Sequence, residues 1–269
     1  MSPFPSLPLF DAHVHTEMAA CAEDLTAAAA FERFRELGVP FGFSEHADQL
    51  YFPREEYFAK YETASGDLDA IRASCRAGNR RFDRYRELTA PFAAQGVPVG
   101  IEVEAAEGRP GLGILDEDLA GWDHLIGSVH EFRGMPDRGR TEPMEALESD
   151  FMDQTEKLCR AGVSVYGHPF RVFARKGRET PRGLYRPVAE MLADHGVAAE
   201  INFHCNTPDP GFFVLCLELG VRLSVGSDSH AMREVGALEP QAALLRELGV
   251  WERLEKVLWR PAGPCARRG

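Results

Sequence analysis

The chain has 269 residues, 44% hydrophobic and 27% charged, a composition ordinary for a soluble globular protein and long enough for one large core. Its formal charge of −12 argues against a broad nucleic-acid or anionic-membrane surface. No stretch approaches the roughly 18 uninterrupted apolar residues of a membrane span, and MSPFPSLPLF lacks the basic flank and apolar centre of a secretory signal, so a cytoplasmic protein is expected. Cysteines at 21, 75, 159, 205, 216 and 265 form no C-x-x-C pair, and reduced thiols are the simpler expectation.

In chain order, β-like runs recur, each closed by a polar turn and usually followed by a helical pattern. They are SLPLFDAHV, PFGFSEH, VPVGIEVE, DHLIGSVH, VSVYGHP, VAAEINFH and VRLSVGSDSH. Seven such runs in alternation with helices predict consecutive βα units, a mainly parallel sheet and a closed or nearly closed α/β barrel. The Ala-rich TAAAAFERFRELG reads as the first helix. In FRELGVP, CRAGVSV, LADHGVAA and LELGVRL a glycine stands where a left-handed C-cap hands the chain to the next strand. Between about residues 47 and 95 lies a polar and aromatic insertion, with helices expected over YFPREEYFAKYET and NRRFDRYRELTAPFAAQ, that decorates the barrel as a lid or wall of the same domain. The chain finishes with helical PQAALLRELG and VWERLEKVL and a frayed GPCARRG.

Seven of the nine histidines fall at strand ends: His13 and His15 after the first, His46 the second, His130 the fourth, His168 the fifth, His204 the sixth, and His230 just past the seventh. Only His124 and His195 fall elsewhere. Residues two apart on a strand share a face, so His13 and His15 present two imidazoles side by side. The third strand supplies Glu102 and the seventh Asp228 at equivalent places. In a βα barrel the C-terminal strand ends meet on one face, so these groups converge. Crowded imidazoles and carboxylates leave unpaired polar groups unless cations gather them, and a histidine-rich N/O set suits zinc, manganese or iron better than magnesium. Two or three divalent ions are expected. No G-x-S-x-G or G-x-G-x-x-G stretch supports a serine hydrolase or a dinucleotide-binding protein.

The motifs DAHVH, GFSEH, GIEVE, GSVH, GHP and GSDSH, in that order over about residues 9 to 235, resemble the polymerase-and-histidinol-phosphatase (PHP) domain family. Length, GFSEHAD and the insertion after it are most similar to the stand-alone histidinol-phosphate phosphatases. The resemblance implies a distorted (βα)7 TIM-like barrel with its metal site at the C-terminal strand ends. It implies one metal on His13, His15, Glu102 and Asp228, with Glu102 bridging to a second on His130 and His168. A third would take His46 and His230 with Cys21, or with Glu23 or Asp24 in its stead. Glu102, His130, Asp228 and His230 are the catalytic candidates.

The expected activity is hydrolysis of a small phosphate monoester, histidinol phosphate above all, as a step of histidine biosynthesis. Clustered ions would activate a water and steady the leaving oxygen. Arg171 and Arg175, directly after a ligand strand, are the phosphate-binding candidates, and Asn202 and His204 complete the substrate set. Glu200 and Asp11 read as carboxylates that orient imidazoles. The alternatives are a phosphodiesterase or nuclease on short nucleotides, disfavoured on long polyanions by net acidity, and a non-catalytic metal-dependent binding protein. An amidohydrolase barrel also opens with His-x-His, but the absence of a lysine at any expected strand end weighs against it.

Overall fold

In the computed structural model, which describes residues 8–135 and 139–261, seven parallel strands close into a barrel in chain order. They are β1 (Asp11–Val14), β2 (Phe41–His46), β3 (Val99–Val103), β4 (His124–Gly127), β5 (Val165–Tyr166), β6 (Ala198–Asn202) and β7 (Leu223–Gly226). The pair Asp11–Val225 joins β7 to β1 and leaves the sheet no edge. Each expected run contains its strand, and residues 6 and 7 of the first run lie outside the described residues. The strands are shorter than the runs because each run continues into the loop that carries its polar residues to the barrel mouth.

The helices are α1 (Ala27–Leu37), α2 (Leu68–Arg76), α3 (Phe82–Ala93), α4 (Asp116–Leu119), α5 (Met144–Arg160), α6 (Arg171–Arg175), α7 (Tyr185–His195), α8 (Pro210–Glu218), α9 (Glu239–Glu247) and α10 (Leu254–Val257). Thr26 caps α1 by accepting from Ala29 N at 3.2 Å. The four expected C-cap glycines, Gly38, Gly162, Gly196 and Gly220, all have φ between 65 and 78°, the region where a Cβ is penalised. Helices cover the barrel, as at α1, where Phe34 stacks on Phe41 of β2 with centroids 4.2 Å apart. The tail GPCARRG lies outside the described residues.

The insertion differs from expectation over residues 51–63. Instead of one α-helix, the segment folds as short 3-10 and π-helical turns, Arg54–Glu56, Tyr57–Tyr61 and Glu62–Ala64. Pro53 disfavours helical backbone at the residue before it, Phe52, and both Tyr51 and Phe52 are buried by long-range partners. Tyr51 Oη donates to Asp118 Oδ2 at 2.9 Å, and Phe52 stacks on Tyr61 at 4.5 Å. The expected second helix is α3, and α2 between them is additional, started by the Asp67 side chain accepting from Asp69 N and Ala70 N. Tyr51, Phe52, Ile71, Phe82 and Tyr85 pack into the same apolar cluster as Phe43 and Ile101 of the barrel.

The N-terminal part of the barrel interior holds His124 of β4, whose Nε2 lies 2.7 Å from Ser44 Oγ and 3.2 Å from Ala12 O. Gly100 makes room for it, since a Cβ there would stand 2.6 Å from the imidazole. Burial pushes His124 down to about 4, so it is neutral in the core.

Candidate metal centre

Strand pairing sets the site's geometry. In the β2–β3 register His46 lies beside Glu102, and β1 carries His13 with His15 just beyond its end. The Glu102 carboxylate sits at the hub. Its Oε2 is 3.3 Å from His13 Nε2, 3.8 Å from His15 Nε2 and 2.7 Å from His46 Nδ1. Its Oε1 is 3.0 Å from His168 Nε2 and 3.3 Å from His130 Nε2. One carboxylate thus faces two sets of imidazoles with different oxygens. Asp228 joins the first set, its Oδ1 3.0 Å from His15 Nε2 and 3.7 Å from His13 Nε2. Two Nε2 pairs face each other closely, His130 with His168 at 3.2 Å and His46 with His230 at 3.4 Å.

The imidazoles are held from behind. His13 Nδ1 donates to Glu200 Oε1 at 2.9 Å, His15 Nδ1 to Glu45 Oε1 at 3.3 Å, and His130 Nδ1 to Glu104 Oε1 at 2.8 Å. His230 Nδ1 donates to the Asp228 carbonyl at 2.8 Å. A carboxylate or carbonyl only accepts, so each Nδ1 carries a proton and each Nε2 faces the centre, where it offers a lone pair once its ring is neutral. Asp228 and His168 sit in the left-handed region, with φ of 55° and 29°, conformations that cost on the order of 1 kcal/mol or more each. They are pinned by Asp228 N donating to His13 O and His168 N donating to Glu200 Oε2, both at 2.8 Å.

The electrostatics are those of an anionic hub ringed by bases. Burial opposes ionisation of Glu102, but His130, His13 and His46 outweigh it and hold the carboxyl well below its usual range. At Asp228 the same penalty is overcome by His13 and Arg171. Burial, and at His46 the neighbouring His15, opposes protonation of the imidazoles. Yet carboxylates lift His15 to about 9 through Asp228 and Glu45, His46 to about 9 through Glu102, and His130 to about 9 through Glu102 and Glu104. Burial and the Arg171 guanidinium push His168 well down, and burial with His15 pushes His230 to about 2.

The residues fit divalent cations. Among the described residues, Glu102 Oε2 and His13 Nε2 are fully buried and closely approached, yet neither has a partner in hydrogen-bonding geometry. Donors come within 4.8 Å of one another in four sets: His13, His15 and Asp228; His46, Glu102 and His130; His15, His46 and His230; His204, His230 and Glu234. None of these sets contains Cys21. Its thiol neighbours His46 and lies 3.6 Å from Gln49 Nε2, on the wall of the same cavity. Glu23 lines the same cavity and its backbone N donates to His230 O at 2.9 Å, but its carboxylate pairs with Arg233 at 2.8 Å, while Asp24 accepts from Met232 N at 2.9 Å.

Beside the cluster opens a cavity of about 340 Å³ whose lining includes His46, His130, Arg171, Arg175, His204 and His230. Arg171 is buried, donating from Nη1 to Asp228 Oδ2 at 2.6 Å and from Nη2 to His168 Nε2 at 2.7 Å. Arg175, also on α6, is exposed and forms no ion pair among the described residues. His204 Nδ1 is 3.5 Å from Glu234 Oε1.

Asn202 is the sequence's candidate for a substrate contact. It is fully buried, and its Nδ2 is spent on Glu200 Oε2 at 3.1 Å and Asp228 Oδ2 at 3.2 Å, so it braces two carboxylates behind the centre. Glu200 orients His13 as expected, whereas Asp11 Oδ1 holds backbone, accepting from Ser227 N at 2.9 Å and His13 N at 3.3 Å. Sequence reasoning missed Glu45, Glu104 and Glu234. Glu104 had a signal, since it stands two residues after Glu102 on the same face.

The PHP domain family model matches residues 11–204. Among curated proteins no relative matches the sequence. A histidinol phosphate phosphatase of Lactococcus lactis subsp. lactis Il1403, solved with zinc, L-histidinol and phosphate, is similar in fold. Its TM-score is 0.56 at 18% identity, over 91% of this chain and 95% of that one. A putative histidinol phosphatase of Listeria monocytogenes is similar at TM-score 0.54 and 14% identity, over 84% of this chain and 97% of that one.

Proposed function

Because the chain belongs to the PHP domain family, we propose that it is a metal-dependent phosphatase that hydrolyses histidinol phosphate to histidinol and phosphate. The observation that carries this reading is the double contact of Glu102, one oxygen toward His13, His15 and His46 and the other toward His130 and His168. In this reading His13, His15, Glu102 and Asp228 hold one cation, Glu102, His130 and His168 a second, and His46 and His230 a third with Cys21 beside them. When bound, such ions supply an acidified water and positive charge against phosphate oxygens.

The rest is done by the chain itself. Glu200, Glu45 and Glu104 keep His13, His15 and His130 in the tautomer that offers Nε2. Arg175, without an ion pair among the described residues, offers its guanidinium to the phosphate from the cavity wall, and Arg171 stands deeper, between Asp228 and His168. The two fold relatives named above support histidinol phosphate as the substrate, one of them having been solved with L-histidinol and phosphate.

The test is turnover of histidinol phosphate, unrelated monoesters and a model diester by protein purified without chelator, then stripped and refilled with zinc or manganese. Histidinol phosphate should be hydrolysed fastest, with activity lost on stripping and restored on refilling. Release from no monoester would reject the reading, and turnover of the diester alone would move the assignment to a phosphodiesterase.

A further inference from the structure

The cavity beside the cluster is built by two parts of the chain with opposite character. α6 contributes Arg171 and Arg175, while the insertion contributes Asp48, Tyr57 and Phe58. Asp48 is only 7% exposed, accepting from Gln49 N at 2.7 Å on Oδ1 and from the Tyr57 hydroxyl on Oδ2. Among the described residues no lysine, arginine or histidine forms an ion pair with it. A buried carboxylate with no cation in contact is costly, and this one, repelled by Glu104 and attracted by His46 and His130 only at longer range, borders the space a ligand would fill.

Phe58 is the complementary anomaly. Among the described residues only two large apolar side chains are exposed, Phe58 at 54% and Val214 at 43%, and of these only Phe58 borders the cavity. It stands on the π-helical turn Tyr57–Tyr61, a rare irregularity that is frequent at functional sites. The same turn carries Tyr57, whose hydroxyl holds Asp48, so one hydrogen bond ties the carboxylate to the aromatic turn. An exposed ring at a cavity wall offers its face to a flat or cationic group.

Resting on the phosphatase reading, we infer that the insertion selects the alcohol half of the ester, Asp48 taking an ammonium group and Phe58 covering a planar ring. The substrate class is then the phosphate monoester of an alcohol that carries both. Asp48 and Phe58 set specificity and take no part in breaking the P–O bond.

The experiment compares wild type, Asp48→Asn and Phe58→Ala, all full-length and zinc-loaded. Substrates are histidinol phosphate (ammonium and ring), 2-aminoethyl phosphate (ammonium alone) and glycerol 2-phosphate (neither). Asp48→Asn should lower the kcat/KM ratio of histidinol phosphate to glycerol 2-phosphate at least tenfold, through KM. Phe58→Ala should cost several-fold on histidinol phosphate and leave the ratio of the other two esters unchanged. Ratios unmoved in both variants would overturn the inference. Should Asp48→Asn fail to fold or to hold zinc, the surface variant Phe58→Ala decides alone. Calorimetric titration with L-histidinol reads the same site without hydrolysis. Binding by wild type that weakens tenfold in Asp48→Asn supports the inference even if no ester is hydrolysed, the result that would sink the phosphatase reading instead. No binding of L-histidinol by wild type overturns it.

Discussion

In DHLIGSVH two histidines six residues apart end up with opposite chemistry. His124 is buried against Ser44 and the Ala12 carbonyl, with no carboxylate in contact among the described residues, and burial outweighs the pull of Asp123 to keep it neutral down to about pH 4. His130 faces Glu102 and Glu104 and is lifted to about 9. In the unfolded chain His124 takes a proton near 6.5, whereas in the fold it does so only near 4. Between these values the unfolded chain binds more protons, so stability present above 6.5 is lost as pH falls toward 4, by about 3 kcal/mol. Chemical denaturation from pH 7 to 4 should therefore show a flatter loss in His124→Gln, and equal slopes would refute this role. Glu200 is a second test at this scale, because it fixes the ring of His13. Glu200→Gln should weaken zinc binding on the order of 10- to 100-fold with the far-ultraviolet spectrum unchanged. The imidazoles were legible in the sequence because histidine is rare and its strand-end positions recur. Glu45 and Glu234 were not, since an acidic residue beside His46, or four residues after His230, looks like any solvated charge until the fold sets it against an imidazole.

At the scale of elements, the junction after β7 shows how a glycine can be demanded by space alone. A Cβ at Gly226 would stand 1.9 Å from Glu200 Oε1 and 2.8 Å from the His13 Cβ. Gly226→Ala must therefore push Glu200 off His13, which should cost about 1–3 kcal/mol and lower zinc affinity as Glu200→Gln does. Gly183→Ala, where an added methyl meets nothing within 4 Å, is the control and should stay within about 0.5 kcal/mol. Denaturant midpoints and zinc titrations of the pair check both. The glycine caps and seven strands were readable because periodicity and C-cap glycines are local signals. The insertion was read less well. Its α2 buries only Ile71 and Ser74, too thin a stripe to notice, while the 51–63 segment takes its turns from long-range anchors such as Asp118 that no local pattern announces.

Across the whole molecule, the barrel converts residues separated by up to 217 positions, His13 to His230, into one cluster inside a chain of net charge −12. Without cations, His15, His46 and His130, each held near 9, carry protons at pH 7.5. Metal ligation requires neutral imidazole, so zinc added to stripped protein in weak buffer at pH 7.5 should release more than one proton per chain, and apparent affinity should fall as pH is lowered. Zinc binding without proton release would contradict the ligand set. Binding to the fold alone should also raise the melting temperature of the stripped protein in proportion to the logarithm of free zinc. The most direct measurement is an anomalous difference map, at the zinc edge, from crystals of protein refilled with zinc. Peaks are expected on both sides of Glu102, one bounded by His13, His15 and Asp228 and one by His130 and His168. A map with no peak among these side chains, or with zinc only at the surface, would contradict the assignment of this cluster as a metal centre.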